Sequence, residues 1–195
     1  MALEAVNVTK KYGENIVLDN FSYNFPDSGY TCIMGRSGCG KSTLLLILMG
    51  LVKPDGGEVR GKPEKISAVF QEDRLCENLT VLANLRLVLG KSRNAELSAA
   101  LAEIGLDGCE DQPVRELSGG MKRRLALLRA LLAEYDVLFL DEPFKGLDPC
   151  TKARVMQLCR DKTAGKTVVL VTHDKGEADF FGGNLIELGE GGASR

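Results

Sequence analysis

Apolar and polar positions alternate at two places near the start of the chain, Leu3-Glu4-Ala5-Val6-Asn7-Val8 and Phe21-Ser22-Tyr23-Asn24-Phe25. Period-two alternation predicts strands with one buried face. Thr31-Cys32-Ile33-Met34 is a short apolar run that stops at a glycine-rich stretch, and residues 43–49 beyond it are almost all Leu, Ile and Met. Strand, glycine loop and a helix buried on most sides form a layout suited to phosphate, because bare backbone N–H groups gather at the helix start. Residues 65–70 predict a further strand. From Leu79 to Leu106 the pattern is helical, with Asn94 through Ile104 rich in Ala, Leu and Glu and closed by Gly105. Ser118 suits the N-cap of a helix with Met121, Leu125, Leu128 and Leu132 on one face and Lys122, Arg123 and Arg129 off it.

The second half alternates strand and helix. Residues 136–140 and 167–171 are unbroken apolar runs, Asp148-Pro149 supplies a cap and first-turn proline for a helix to about Lys162, and Asp174 caps a short helix through Phe181. A last strand covers 184–188, and 189–195 reads as a frayed end. Alternating strands and helices with fully apolar strands predict an α/β fold whose parallel sheet is covered on both faces. The whole chain, 1–195, reads as one domain in which a helical subdomain, about 72–133, interrupts the alternation.

Composition narrows the classes. Of 195 residues, 44% are hydrophobic and 27% charged, which excludes a disordered chain. The 25 basic and 27 acidic residues leave a net charge of −2, so no global field favours nucleic acid, and none is expected as a partner. The longest apolar run, residues 44–51, contains Gly50 and falls far short of the roughly 18 residues of a membrane-spanning helix. The first residues do not form a secretory signal, so the expected compartment is the cytoplasm. Six cysteines are scattered without a C-x-x-C pair and with a single histidine, His173, which argues against zinc and for reduced thiols. Cys39 stands apart because a helix N-terminus and Lys41 both favour its thiolate. One expectation makes it the most readily alkylated cysteine; the other has the glycines holding it beneath the loop, inert.

Three stretches carry chemistry. Gly35-Arg36-Ser37-Gly38-Cys39-Gly40-Lys41-Ser42 matches G-x-x-x-x-G-K-[ST] in full. Small residues let the backbone wrap phosphate oxygens closely, Lys41 adds positive charge for the β- and γ-phosphates, and Ser42 offers a hydroxyl to Mg²⁺. Val137-Leu138-Phe139-Leu140-Asp141-Glu142 is an apolar strand ending in two acids; the first suits Mg²⁺, and the second suits polarising an attacking water. Leu117-Ser118-Gly119-Gly120-Met121 stands at a helix N-terminus, an anion-favouring place, although on its own it reads as an ordinary capped start. Gln71 and His173 each follow a strand, and the carboxyl ends of parallel strands are where ligands bind.

In this order, with Tyr12 before and Gly146-Leu147-Asp148 between, these motifs resemble the ATP-binding subunits of ABC transporters over essentially the whole chain. The resemblance implies a P-loop NTPase with a RecA-like core, an N-terminal antiparallel β part and a short helical signature subdomain. It implies ATP and Mg²⁺ as ligands, with Gly35, Arg36, Ser37, Gly38, Cys39, Gly40, Lys41, Ser42 and Thr43 around the phosphates, Tyr12 stacked on adenine, and Ser42, Gln71 and Asp141 toward the metal. Glu142 is then the catalytic carboxylate, with Lys41 and His173 beside it. Ser118, Gly119 and Gly120 would hold the γ-phosphate bound by a second copy, and Asp148 would lie in the loop crossing that dimer. The implied partners are a separate membrane permease, a second copy in an ATP-dependent homodimer, and an extracytoplasmic solute-binding protein. The implied place is the cytoplasmic face of the membrane.

The wording Val69-Phe70-Gln71-Glu72-Asp73-Arg74-Leu75, Asp141-Glu142-Pro143-Phe144 and Thr172-His173-Asp174 resembles nitrate, sulfonate and taurine importers more narrowly. Met121 replaces a usual Gln, Lys145-Gly146 replaces a usual small pair, and the 47 positions from Gln71 to Ser118 are fewer than the family pattern. A non-transport ATPase of the same superfamily is the alternative, disfavoured because such chains carry coiled coils, zinc modules or a second cassette. A pure nucleotide-binding module would be suggested by loss of Glu142 or His173, and both are present. A small-molecule kinase would leave residues 117–120 unexplained.

Overall fold

The first alternating stretch becomes β1 (Glu4–Tyr12) in the computed structural model, which describes residues 3–89 and 94–189. β1 pairs antiparallel with β2 (Asn15–Asn24) and, on its other edge, with β4 (Gly56–Arg60). Both flanks are longer or newer than the sequence pattern predicts, for a physical reason. The β1–β2 register shifts three times, and Asn7 and Asn20 take φ of 48° and 49°. The buried positions Ala5/Val8 and Leu18/Phe21 are therefore three apart, as bulges require, and strict alternation is lost. β4, with the sequence Gly-Gly-Glu-Val-Arg, has a single apolar side chain and no pattern to read.

The chain folds as two compact units. The first comprises Met1–Ile66, Asp136–Glu142 and Gly165–Arg195. Besides the antiparallel sheet it holds β3 (Gly29–Gly35), flanked in parallel by β7 (Thr167–Val171) and β8 (Asn184–Leu188), with β6 (Val137–Asp141) parallel beyond β7. Every residue of β6 and β7 is buried, which is why both read as unbroken apolar runs. α1 (Lys41–Leu48) packs on β3, β6 and β7, and α6 (Lys175–Phe181) stacks Phe181 on Tyr30 with ring centroids 4.5 Å apart. The mainly parallel sheet with its antiparallel β part is the predicted α/β architecture.

The second unit comprises Ser67–Tyr135 and Pro143–Ala164. β5 (Ile66–Val69) leads into it, and Ser67 donates its hydroxyl to Ala130 O at 2.8 Å. The helical stretch expected at 79–106 is two helices, α2 (Val81–Leu89) and α3 (Asn94–Glu103); residues 90–93 lie outside the described ones, as does most of the end expected to fray. Both pack with α4 (Gly119–Leu132), and Val81, Leu85, Leu97, Leu101, Leu125 and Leu128 form the core of this unit. α5 (Pro149–Lys162) follows Asp148 and packs on α4. Arg123 stands off the leucine face, yet it is not solvated there: it is 4% exposed. Its guanidinium donates to Phe70 O at 2.6 Å and to Asp73 Oδ1 at 3.0 Å, because residues 70–73 cover α4 on a side that its leucine stripe does not mark.

Candidate functional site

β3 ends at Gly35 and α1 opens at Lys41, so the glycine-rich motif is the connection between them. Two of its glycines are required on both conformational and steric grounds. Gly35 has φ of 152°, and a Cβ there would meet Leu188 O at 2.6 Å and Cys39 Sγ at 2.7 Å. Gly40, at φ of 103°, would set a Cβ 2.7 Å from Val17 O. Arg36, Ser37 and Gly38 are exposed, as is Ser42 in the first turn of α1, with Thr43 partly so. The Lys41 ammonium folds back over the loop and donates to Gly35 O at 2.8 Å and Arg36 O at 2.9 Å. A cleft of about 600 Å³ opens beside the loop, with Gly35, Arg36, Cys39, His173 and Leu188 among its walls. Cys39 is only 8% exposed, with its sulfur tucked under Gly35, whereas Cys76 and Cys150 are exposed. Of the two expectations for Cys39, this burial supports the one in which it is held beneath the loop.

The same unit brings two acids and the histidine to the carboxyl ends of its strands. Asp141 is the last residue of β6 and is buried. Glu142 donates its amide to Val171 O at 2.9 Å, then turns into the left-handed region at φ of 50°, a conformation that costs a non-glycine residue roughly 1–2 kcal/mol. Its carboxylate oxygens lie 2.7 and 2.8 Å from His173 Nδ1. His173 follows β7, and the ring is mostly exposed while the Glu142 side chain is largely covered. Tyr12 ends β1 with its ring exposed and the Lys10 ammonium 5.5 Å from the ring centroid.

The remaining motif residues belong to the second unit. Ser118 caps α4 by accepting the Met121 amide at 3.3 Å, and Met121 itself packs against the helical core. A cleft of about 260 Å³ in this unit is lined by Gln71, Asp73, Gly119, Gly120, Arg123 and Lys145, so Gln71 and the two glycines come together there. Asp73, Arg123 and Lys145 are the members of this group that sequence reasoning passed over as site residues; a cation one turn from a capped glycine pair is a signal only once the loop across it is known. Asp148 caps α5 by accepting the Thr151 amide at 3.0 Å. Hydrogen bonding from the Thr151 side chain first, and from its amide second, holds the Asp148 carboxyl below the usual aspartate range.

For a divalent cation, the donors in the first unit are the Ser42 hydroxyl and the Asp141 carboxylate. These are hard oxygens of the kind Mg²⁺ takes when phosphates and water complete its shell. Among the described residues no group of three or more His, Cys, Asp or Glu forms an all-protein metal cage. The residues therefore fit Mg²⁺ held jointly with a nucleotide. Among the described residues no helix is long and apolar enough to cross a membrane.

Comparison with known proteins agrees with this geometry. The family described as ABC transporter matches residues 18–145. Aliphatic sulfonates import ATP-binding protein SsuB 2 of Rhodococcus jostii is 38% identical over 97% of this chain and 80% of its own length. SsuB 1 of Nocardia farcinica is 40% identical over 98% of this chain and 79% of its own. A solved dimeric structure of the ATP-binding cassette MJ0796 in a post-hydrolysis state, bound to ADP and Pi, superposes with a TM-score of 0.86 at 33% identity, covering 99% of this chain and 96% of that one. With a glycine loop, its lysine and a carboxylate–histidine pair set into this matching fold, the chain belongs to the ABC transporter family and is an ATP-hydrolysing, ATP-binding cassette.

Proposed function

We propose that this chain powers solute import through a separate membrane permease, working as a homodimer on the cytoplasmic face of the membrane and supplied by an extracytoplasmic solute-binding protein. Relatives named for aliphatic sulfonate import support the import direction, and small organic anions of that kind are the solute class this reading takes first. The same names weigh against the non-transport alternative. The observation that carries the hydrolytic part is Glu142, held left-handed at a strand end with its carboxylate against His173, in the unit that also holds Lys41 on its glycine loop.

In this reading the loop amides from Gly35 to Thr43 surround the phosphates, Tyr12 stacks on the adenine, and the Lys41 ammonium leaves its two carbonyls for the β- and γ-phosphate oxygens. Mg²⁺, held by Ser42 and Asp141 and sensed by Gln71, would neutralise phosphate charge. Glu142 accepts the proton of the attacking water as its oxygen bonds to the γ-phosphorus, while the bond to the β–γ bridging oxygen breaks. His173 meets the γ-phosphate. Ser118, Gly119 and Gly120 of the second copy close over that phosphate with a capped helix N-terminus, and Asp148 stands in the loop between copies. The association state tests this. Glu142→Gln with MgATP should convert monomer to dimer in analytical ultracentrifugation, because a ligand shared across an interface stabilises it by mass action. A variant that binds ATP and stays monomeric at high concentration, alone and with its co-expressed permease, counts against the sandwich.

A further inference from the structure

Glu177 is 4% exposed, a buried carboxylate at the start of α6 to which the hydrolytic reading assigns no part. Thr172, fully buried where β7 ends, donates its hydroxyl to Glu177 Oε2 at 2.6 Å. The Thr172 hydroxyl oxygen also accepts the Asp174 amide at 3.0 Å. The Asp174 carboxylate in turn accepts the amides of Gly176 at 2.7 Å and Glu177 at 3.4 Å, which returns the chain of bonds to its starting residue. On the other side, the Thr172 amide donates to Ile33 O at 3.2 Å, tying the turn to β3. The residues before and after His173 thus each have a fixed N–H, Thr172 bonded to the sheet and Asp174 to the Thr172 hydroxyl.

His173 needs that fixing. Its side chain is 65% exposed, so packing does little to orient the ring, and its direction is inherited from the backbone and from Glu142. A threonine hydroxyl has one proton. Directing it to Glu177 turns the lone pairs toward the Asp174 amide; without that acceptor the hydroxyl can rotate and the amide loses a fixed partner. Glu177 also makes itself felt at β3, where burial first and the Glu177 charge second push the Cys32 thiol up to about 11.

We propose that Glu177 is a positioning residue for ATP hydrolysis, fixing through the Thr172 hydroxyl the turn that aims His173 at Glu142. The inference rests on the reading of Glu142 and His173 as hydrolytic groups, and its test separates the two. The chain has one histidine, so an untagged protein labelled with ¹⁵N gives one set of imidazole ring signals. Thr172→Val removes the hydroxyl at nearly constant volume, Glu177→Leu removes the acceptor, and Glu177→Gln keeps an acceptor oxygen. Thr172→Val and Glu177→Leu should lower kcat on the order of ten- to a hundredfold with KM for ATP nearly unchanged, as for a displaced reacting group. Their ring signals should move toward those of a free imidazole, and Glu177→Gln should restore most of the turnover. If Glu177→Leu does not fold, Thr172→Val decides alone, and the ring signals decide without any turnover. Wild-type kcat with unmoved ring signals in Thr172→Val overturns the positioning role. Wild-type turnover in His173→Ala, run alongside, overturns instead the hydrolytic reading beneath it.

Discussion

Nδ1 of His173 faces both carboxylate oxygens of Glu142, at 2.8 and 2.7 Å, across the gap between the ends of two neighbouring parallel strands. An ionised carboxylate only accepts, so the proton of this contact sits on Nδ1 and Nε2 faces away from Glu142. Each residue therefore constrains the other. Glu142→Gln and His173→Ala should each lower the rate of ATP hydrolysis on the order of 10²- to 10⁴-fold while ATP affinity stays within a few-fold of wild type. Steady-state hydrolysis and equilibrium binding of a fluorescent ATP analogue check both halves. A parallel loss of affinity would assign the pair to binding instead.

Lys41→Ala should behave differently, losing about ten- to a hundredfold in nucleotide affinity, the range of a charge-assisted hydrogen bond. Ser118→Arg should be inactive yet still bind ATP. Mixed together, the two inactive proteins should recover part of the hydrolysis, because one of the two composite sites in a mixed dimer keeps both intact halves. Activity no higher than the sum of the parts speaks against sites shared between copies.

Arg123 anchors residues 70–73 to α4 through the carbonyls of Phe70 and Gln71 and the carboxylate of Asp73. Removing the buried Arg123 leaves two backbone carbonyls without this donor and the partly exposed Asp73 carboxylate without its counter-ion, at a cost of about 3 kcal/mol. Arg123→Ala should therefore lower the thermal midpoint by roughly 10 °C in a chain of this size, read by circular dichroism. Arg123→Lys should recover part of the loss, because one guanidinium nitrogen makes the contacts to Phe70 O and Asp73 Oδ1 and an ammonium that reached that point would supply the same donors.

Brief alkylation followed by mass-spectrometric mapping should label Cys76 and Cys150 first, Cys109 next, and Cys32, Cys39 and Cys159 last. MgATP should change the labelling of Cys39 little. Fast, ATP-protected labelling of Cys39 would show that its loop opens in solution.

The Cys32 thiol, raised from 9.0 to about 11, titrates later in the fold than in the unfolded chain. A raised value favours the protonated form in the native state, so its stabilising share is full below about pH 9 and is lost as pH climbs through about 11. Urea midpoints of wild type should thus fall relative to Cys32→Ala across that interval and run parallel below it.

Local features were legible in advance. Ser118, Asp148 and Asp174 cap their helices because the bonds they make reach only two or three residues on. β6 and β7 announced themselves because both faces are covered. The motif residues likewise stand where the pattern put them: Gly35 ends β3, Lys41 opens α1, and Asp141 ends β6. Nonlocal features were hidden. The bulges of β1 and β2 erase alternation, β4 is recruited by its neighbour rather than by its own side chains, and the partners of Arg123 arrive from residues 70–73, some fifty positions earlier. The Thr172–Glu177 bond is short in sequence, yet only burial reveals that the pair is closed off from water.

The backbone at position 142 has a preference of its own. At φ of 50° it favours glycine or asparagine, and the glutamate there works against the local conformational energy. A sequence chosen only for folding would place one of those two residues at the end of β6. Stability and turnover are thus set against each other at a single residue: Glu142→Gly relaxes the turn and removes the carboxylate, so a screen for heat resistance alone would drift toward a sturdier and silent protein.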